Sequence, residues 1–151
     1  YWEWEDVRQL PRNPRIIEQA AGKAVKVISA LLPCLPPPHR YTVIYMVRPA
    51  EQVVDSQWAM LARQGKTPRA DRRHLIEAQE HHSRQIRKAL AASDRVTLVE
   101  VSYPELVADP GPVIDRLASA LRGRFTPSDA VTACVQPALY RHRGSPSAET
   151  P

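Results

Sequence analysis

The sequence is poor in the features that announce most chemistries. It carries two cysteines in 151 residues, Cys34 and Cys134, which make neither a disulfide framework nor a metal-ligand set. No apolar run approaches the ~20 residues needed to cross a bilayer, so a membrane-spanning role is excluded. Glycine occurs five times, and no two glycines lie close enough to cradle phosphates. A Walker-type loop of Gly, Lys and Ser or Thr does not occur. Nor is there a serine elbow, a zinc-ligand spacing or an aromatic RNA-binding signature. There is no internal repeat. The sequence opens on Tyr1, not Met, with no signal-peptide pattern behind it, and it reads as a piece of a longer chain.

What is present suits one globular domain. Hydrophobic residues make up 43% and charged residues 25%, an ordinary balance. A chain of this size can bury a single core. Fifteen prolines are about twice the average share and predict many punctuated connections. Basic residues outnumber acidic ones by 21 to 16, for a formal charge of +5. Seventeen of the basic residues are arginine and four lysine. Arginine forks grip phosphate and sulfate in pairs of bonds that lysine cannot make. The excess permits an anionic partner, although GC-rich coding bias yields the same composition. Because the arginines are scattered, non-specific nucleic-acid binding is poorly supported.

Punctuation and periodicity predict alternating strands and helices. A short helical stretch lies near Val7–Leu10, and Asn13-Pro14 opens a second helix that stops at Gly22. Lys23–Ser29, short and β-branched, reads as a strand, with a helical turn over Ala30–Leu35. Tyr41–Val47 is the clearest strand, and its nearly continuous apolar character predicts burial on both faces. Helices follow over Pro49–Gln64 and Asp71–Ala92, then a third strand over Arg95–Val101. Two more helices are expected, Pro112–Leu121 and Pro127–Val135, before a disordered tail at 144–151. The expected fold is α/β, with three layers and a mainly parallel sheet flanked by helices. Three strands make a thin sheet, which suggests that an N-terminal strand-loop-helix unit is missing. The domain would then be a partial one spanning 1–143.

Ligands of open α/β sheets bind beyond the carboxyl ends of the strands. That rule selects Ser29, Arg48 and Tyr103. Arg48 ends a strand, and Ser56 stands eight positions later on the next helix. The two can converge on one small anion, through a charged fork and one added hydrogen bond. They are equally compatible with a surface arginine and an ordinary helix serine. Tyr103 can stack on an adenine or simply plug the top of the sheet. Pro104, Glu105, Asp109 and Pro110 read as turn and cap residues. Lys26 can neutralise a leaving phosphate ester or sit idle at a solvent edge. Ser29 has no evident base partner. His82 falls on the apolar stripe of its helix and reads as a satisfied core histidine. Tyr140-Arg-His-Arg-Gly144 offers Arg141 and Arg143 to an anion, or forms a merely basic tail.

The segment Tyr41-Thr-Val-Ile-Tyr-Met-Val-Arg-Pro-Ala-Glu-Gln-Val-Val-Asp-Ser-Gln57 resembles the 3′-phosphate-binding segment of P-loop sulfotransferases. Val99-Glu-Val-Ser-Tyr-Pro-Glu-Leu-Val-Ala-Asp-Pro110 is similar to that family's strand and following Tyr-Glu-Asp-Leu…Asp-Pro stretch. The opening Tyr1-Trp-Glu-Trp-Glu and Gly22–Ser29 look similar to bacterial sulfotransferase-like proteins, so the resemblance runs from Tyr1 to about Arg143. It implies a P-loop NTPase type of fold. It also implies transfer of a sulfuryl group from 3′-phosphoadenosine 5′-phosphosulfate, as co-substrate and without a metal, to a hydroxyl or amine acceptor. By the same resemblance Arg48 and Ser56 hold the 3′-phosphate and Tyr103 contacts the adenine. Arg141 and Arg143 fall where a late cofactor-binding arginine is common, without the family's glycine-rich motif. Lys26 stands near the lysine of its Lys-x-His pair.

Two departures bear on activity. The phosphosulfate-binding loop is missing, and the histidine of that pair is absent, Ile28 and Ser29 occupying the region. Glu3 or Glu5 is a possible substitute base. The expectation is the C-terminal, nucleotide-binding part of a sulfotransferase, inactive on its own and cytoplasmic, since its two unpaired cysteines suit a reducing compartment. The alternative is a non-catalytic adenine-nucleotide-binding or protein-interaction module derived from that fold.

Overall fold

A computed structural model describes residues 4–68 and 70–140. The chain divides into two compact units, Tyr1–Tyr41 with His82–Thr97, and Thr42–His81 with Leu98–Pro151. Among the described residues no helix is long and apolar enough to cross a membrane. The tail at 144–151 lies outside the described residues.

Proline spacing shapes the first unit. Its helical stretches are tight 3-10 turns over Glu5–Gln9, Pro14–Ala20 and Ser29–Cys34. Pro11, Pro14 and Pro33 leave too few consecutive amide donors for long α-helical ladders. These turns bury Val7, Leu10, Ile16, Ile17 and Ala20 together, with Trp4, Val25, Val27, Leu31 and Leu35 packed around them. Leu10 is completely buried.

The strand expected over Lys23–Ser29 is not formed. Its two-residue alternation is nevertheless real. Val25 and Val27 pack inward, whereas Ala24, Lys26 and Ile28 are exposed. The segment has the side-chain pattern of a strand but lies on the apolar cluster without a neighbouring strand to complete a ladder.

Among the described residues the sheet therefore has two strands, β1 (Tyr41–Val47) and β2 (Val96–Ser102), paired in parallel. The Tyr41 N–H donates to the Arg95 carbonyl at 2.9 Å, at the start of both strands. Parallel neighbours need a long crossover, supplied by helices α1 (Ala50–Arg63) and α2 (Arg72–Ala91). The expected burial of β1 on both faces is not met, because Ile44 and Met46 are 42% and 45% exposed. An apolar strand sequence records what a sheet face requires, not what covers it.

Helix boundaries follow from local chemistry. Past the end of α1, Gly65 takes φ 67°, a region that suits glycine. Its N–H donates to the Ala62 carbonyl and the Lys66 N–H to that of Leu61, which completes a Schellman closure. The Asp71 carboxylate caps α2 by accepting from the Arg73 and His74 amides at 3.0 and 3.3 Å. Ser102 closes β2 and caps α3 (Tyr103–Ala108), accepting from the Glu105 amide. Of the residues read as turn and cap, Pro104 and Glu105 thus lie inside a short helix, whereas Asp109 does stand at the boundary as C-cap of α3 and Pro110 opens the next helix. Helix α3 is followed by α4 (Pro110–Ala120) and α5 (Asp129–Ala133).

Tyr41 gives the fold an alkaline limit. Its hydroxyl donates to the Pro36 carbonyl at 2.9 Å. Burial raises its pKa above the ordinary value, while the Arg95 charge pulls the other way. An unfolded phenol ionises near pH ~10, so this contribution is intact below that pH and is lost as pH rises through the folded value. Urea unfolding from about pH 9 to 11 should show a steeper alkaline loss in the wild type than in Tyr41→Phe. Parallel curves would mean that the hydroxyl contributes nothing.

Candidate functional site

Parallel pairing brings the carboxyl ends of β1 and β2 to the same edge of the sheet. Arg48 is the first residue beyond β1, and Tyr103 the first beyond β2. Pro49 turns the chain into α1, where Gln52 lies four residues after Arg48. The Arg48 Nε–H donates to Gln52 Oε1 at 3.1 Å. The guanidinium carbon sits 5.2 Å from the centroid of the Tyr103 ring and 5.3 Å from that of Tyr140. The two rings meet edge to face at 5.2 Å and 87°. The Tyr140 hydroxyl donates to the same Gln52 oxygen at 2.6 Å. All four side chains are half-buried.

The result is a cation walled by two aromatic rings and fixed from one edge by a neutral amide. Cation–π contact contributes on the order of 0.5–2 kcal/mol per ring, more as water is excluded. With Nε committed to Gln52, the orientation of the fork is set, as paired recognition of an oxyanion requires. Ser56 lies one helical turn beyond Gln52, half-buried. Next to it Asp55 accepts two bonds from Arg72, at 2.9 and 3.1 Å. That bonding, ahead of the Coulombic attraction, holds the Arg72 pKa above its ordinary value, so the Arg72–Asp55 pair ties the start of α2 to α1 beside Ser56.

Lys26 belongs to the first unit, is exposed, and stands on a segment that is not a strand. It lines a shallow cavity of about 140 Å³ with Trp4, Val7, Arg8, Ile28 and Leu31. Arg141 and Arg143 lie outside the described residues, as does Glu3. Among the described residues no three His, Cys, Asp or Glu side chains gather as metal ligands.

Ser29 does have a partner, which sequence reasoning missed. Its Oγ lies 2.9 Å from His82 Nε2. Among the described residues no carboxylate orients the other ring nitrogen, so the pair pins the 3-10 turn to α2 and lacks the third member of a nucleophilic set. Fifty-three residues separate the two, and helical periodicity alone cannot announce such a meeting.

Gln52 and Tyr140 were also missed as site residues. The four-residue step from Arg48 is a signal for Gln52. Tyr140 was visible only as the first residue of a basic cluster.

Comparison with protein-family models, with characterised proteins and with solved structures gave no match.

Because Tyr103 backs both the guanidinium and the second ring, Tyr103→Ala should loosen Pro137–Tyr140. The Tyr140 amide, which donates to the Pro137 carbonyl at 3.0 Å, is then expected to exchange with deuterium several-fold faster. Unchanged protection would show that the aromatic contact does not hold this turn.

Proposed function

We propose that this chain is the 3′-phosphoadenosine-binding part of a sulfotransferase. In this reading Arg48 and Ser56 hold the 3′-phosphate and Tyr103 lies against the adenine. The observation that carries it is the meeting of Arg48 and Tyr103 beyond the carboxyl ends of two parallel strands, with Ser56 on the helix that follows. The donor set fits the group: a fixed guanidinium for a phosphate dianion, a hydroxyl for one of its oxygens, and an aromatic face for a base.

When bound, the nucleotide supplies the sulfuryl group that passes to a hydroxyl or amine acceptor. The residues of this chain bind and orient it. Arg48 offsets the charge of the 3′-phosphate and so fixes the far end of the molecule, and Tyr103 limits rotation of the adenine. Positioning of this kind lowers the entropic part of a barrier. The full fold would be the three-layer, mainly parallel α/β arrangement of P-loop sulfotransferases. A further strand-loop-helix unit would grip the phosphosulfate. Free Cys34 and Cys134 suit a cytoplasmic setting.

One observation favours the second reading, a non-catalytic adenine-nucleotide-binding or protein-interaction module. Lys26, the catalytic candidate, is exposed and off any strand.

Binding separates the outcomes. By calorimetry, adenosine 3′,5′-bisphosphate should bind at least tenfold more tightly than 5′-AMP, and Arg48→Ala should erase the difference. A charge-assisted bond is worth about 1.5–3 kcal/mol, or roughly ten- to hundredfold. Equal affinities in the wild type would overturn the reading.

A further inference from the structure

We propose that the cavity of about 150 Å³ lined by Leu32, Leu35, Tyr41, Ile86, Leu90 and Arg95 binds a small apolar carboxylate, with its hydrocarbon against the leucines and its carboxylate on Arg95. The proposal is independent of the nucleotide-binding reading. All six residues belong to the first unit, and none of them takes part in the Arg48 site.

The apolar wall comes from two stretches of the sequence. The 3-10 turn over Ser29–Cys34 supplies Leu32, and Leu35 closes that turn. The last turns of α2 supply Ile86 and Leu90, four residues apart and so on one face. Leu32, Ile86 and Leu90 are themselves buried, so the wall is made of packed side chains. A cavity of this size takes a group as large as a benzene ring, and such a group gains by leaving water.

The polar end is organised by the Pro36 carbonyl. It accepts from the Tyr41 hydroxyl at 2.9 Å and from Arg95 Nη1 at 3.3 Å. A guanidinium carries five N–H donors, and a neutral carbonyl holds it without cancelling its charge. Asp94 comes within 4.0 Å of Nε, but its side chain is 93% exposed, so water and salt screen that pair. The charge of Arg95 reaches Tyr41: burial raises the pKa of the phenol, and Arg95 pulls it the other way. Helix α2 ends beside the cavity, and a helix carbonyl end carries roughly half a negative charge. The full charge of Arg95 outweighs it. A carboxylate therefore meets a donor fork that it can pair with, next to a wall that takes its hydrocarbon.

Phenylacetate is the probe, because acetate lacks the ring and phenylacetamide lacks the charge. A charge-assisted bond is worth roughly ten- to hundredfold in affinity. The Arg95 side chain is 38% exposed, which reduces the expected preference to about fivefold. Titrated into the full 151-residue chain, phenylacetate should shift the amide NMR signals of Leu35, Ile86 and Leu90. It should bind about fivefold more tightly than phenylacetamide, and acetate should not shift these signals. Arg95→Gln should bring the acid and the amide to the same affinity. Ala89 also lines the cavity and is an exposed residue of α2. Ala89→Phe should fill the space and weaken phenylacetate severalfold while the protein stays folded.

Equal affinity of the wild type for phenylacetate and phenylacetamide overturns the proposal, as do shifts confined to residues outside the cavity. An Arg95→Gln variant that folds and keeps the preference overturns it too. If Arg95→Gln fails to fold, Ala89→Phe decides, and undiminished binding there overturns it.

Discussion

The parallel pairing of β1 with β2 is the constraint on which the candidate site depends. Arg48 and Tyr103 are fifty-five positions apart in the sequence, each placed just past the end of its own strand. In an antiparallel pair those ends would lie at opposite edges of the sheet. In a parallel pair they share an edge, and the guanidinium comes to rest on the ring. The long crossover does more than connect. Its first helix carries Gln52, so the connection that makes parallel pairing possible also furnishes the side chain that holds Arg48.

This dependence explains which parts of the architecture were legible in the sequence. The bounds of Tyr41–Val47 coincide with β1 because the run is dense in β-branched and aromatic residues and is closed by proline. The long helix was equally plain, its expected Asp71–Ala92 span differing from Arg72–Ala91 by one residue at each end, since an aspartate cap and a sustained apolar stripe mark it. Lys23–Ser29 misled for a definite reason. Alternation reports which side chains turn inward, not whether another strand lies alongside, and here the inward valines meet 3-10 turns. The number of strands is a non-local property, and a local pattern cannot supply it.

The site was legible to the extent that it is sequential. Arg48 and Ser56 stand out through their spacing, and Tyr103 through its place after a strand. Gln52 was within reach of the same reasoning, being one helical turn from Arg48. Tyr140 was not. Its contact with Gln52 spans 88 positions and comes from a short 3-10 turn over Pro137–Leu139 without periodicity to betray it. The Ser29–His82 bond is of the same kind. In both cases residue types were visible and their meeting was not, because long-range contacts follow from packing.

The aromatic walls also account for the identity of residue 48. A lysine there would retain the charge but present a compact ammonium on a flexible stem. It has no donor along its stem to reach Gln52 while its charge faces the rings. A guanidinium brings its carbon within 5.2 and 5.3 Å of the two ring centroids while its Nε–H bonds to Gln52. Its weaker hydration lowers the cost of taking it half out of water. The contacts that hold the cation therefore also set its orientation.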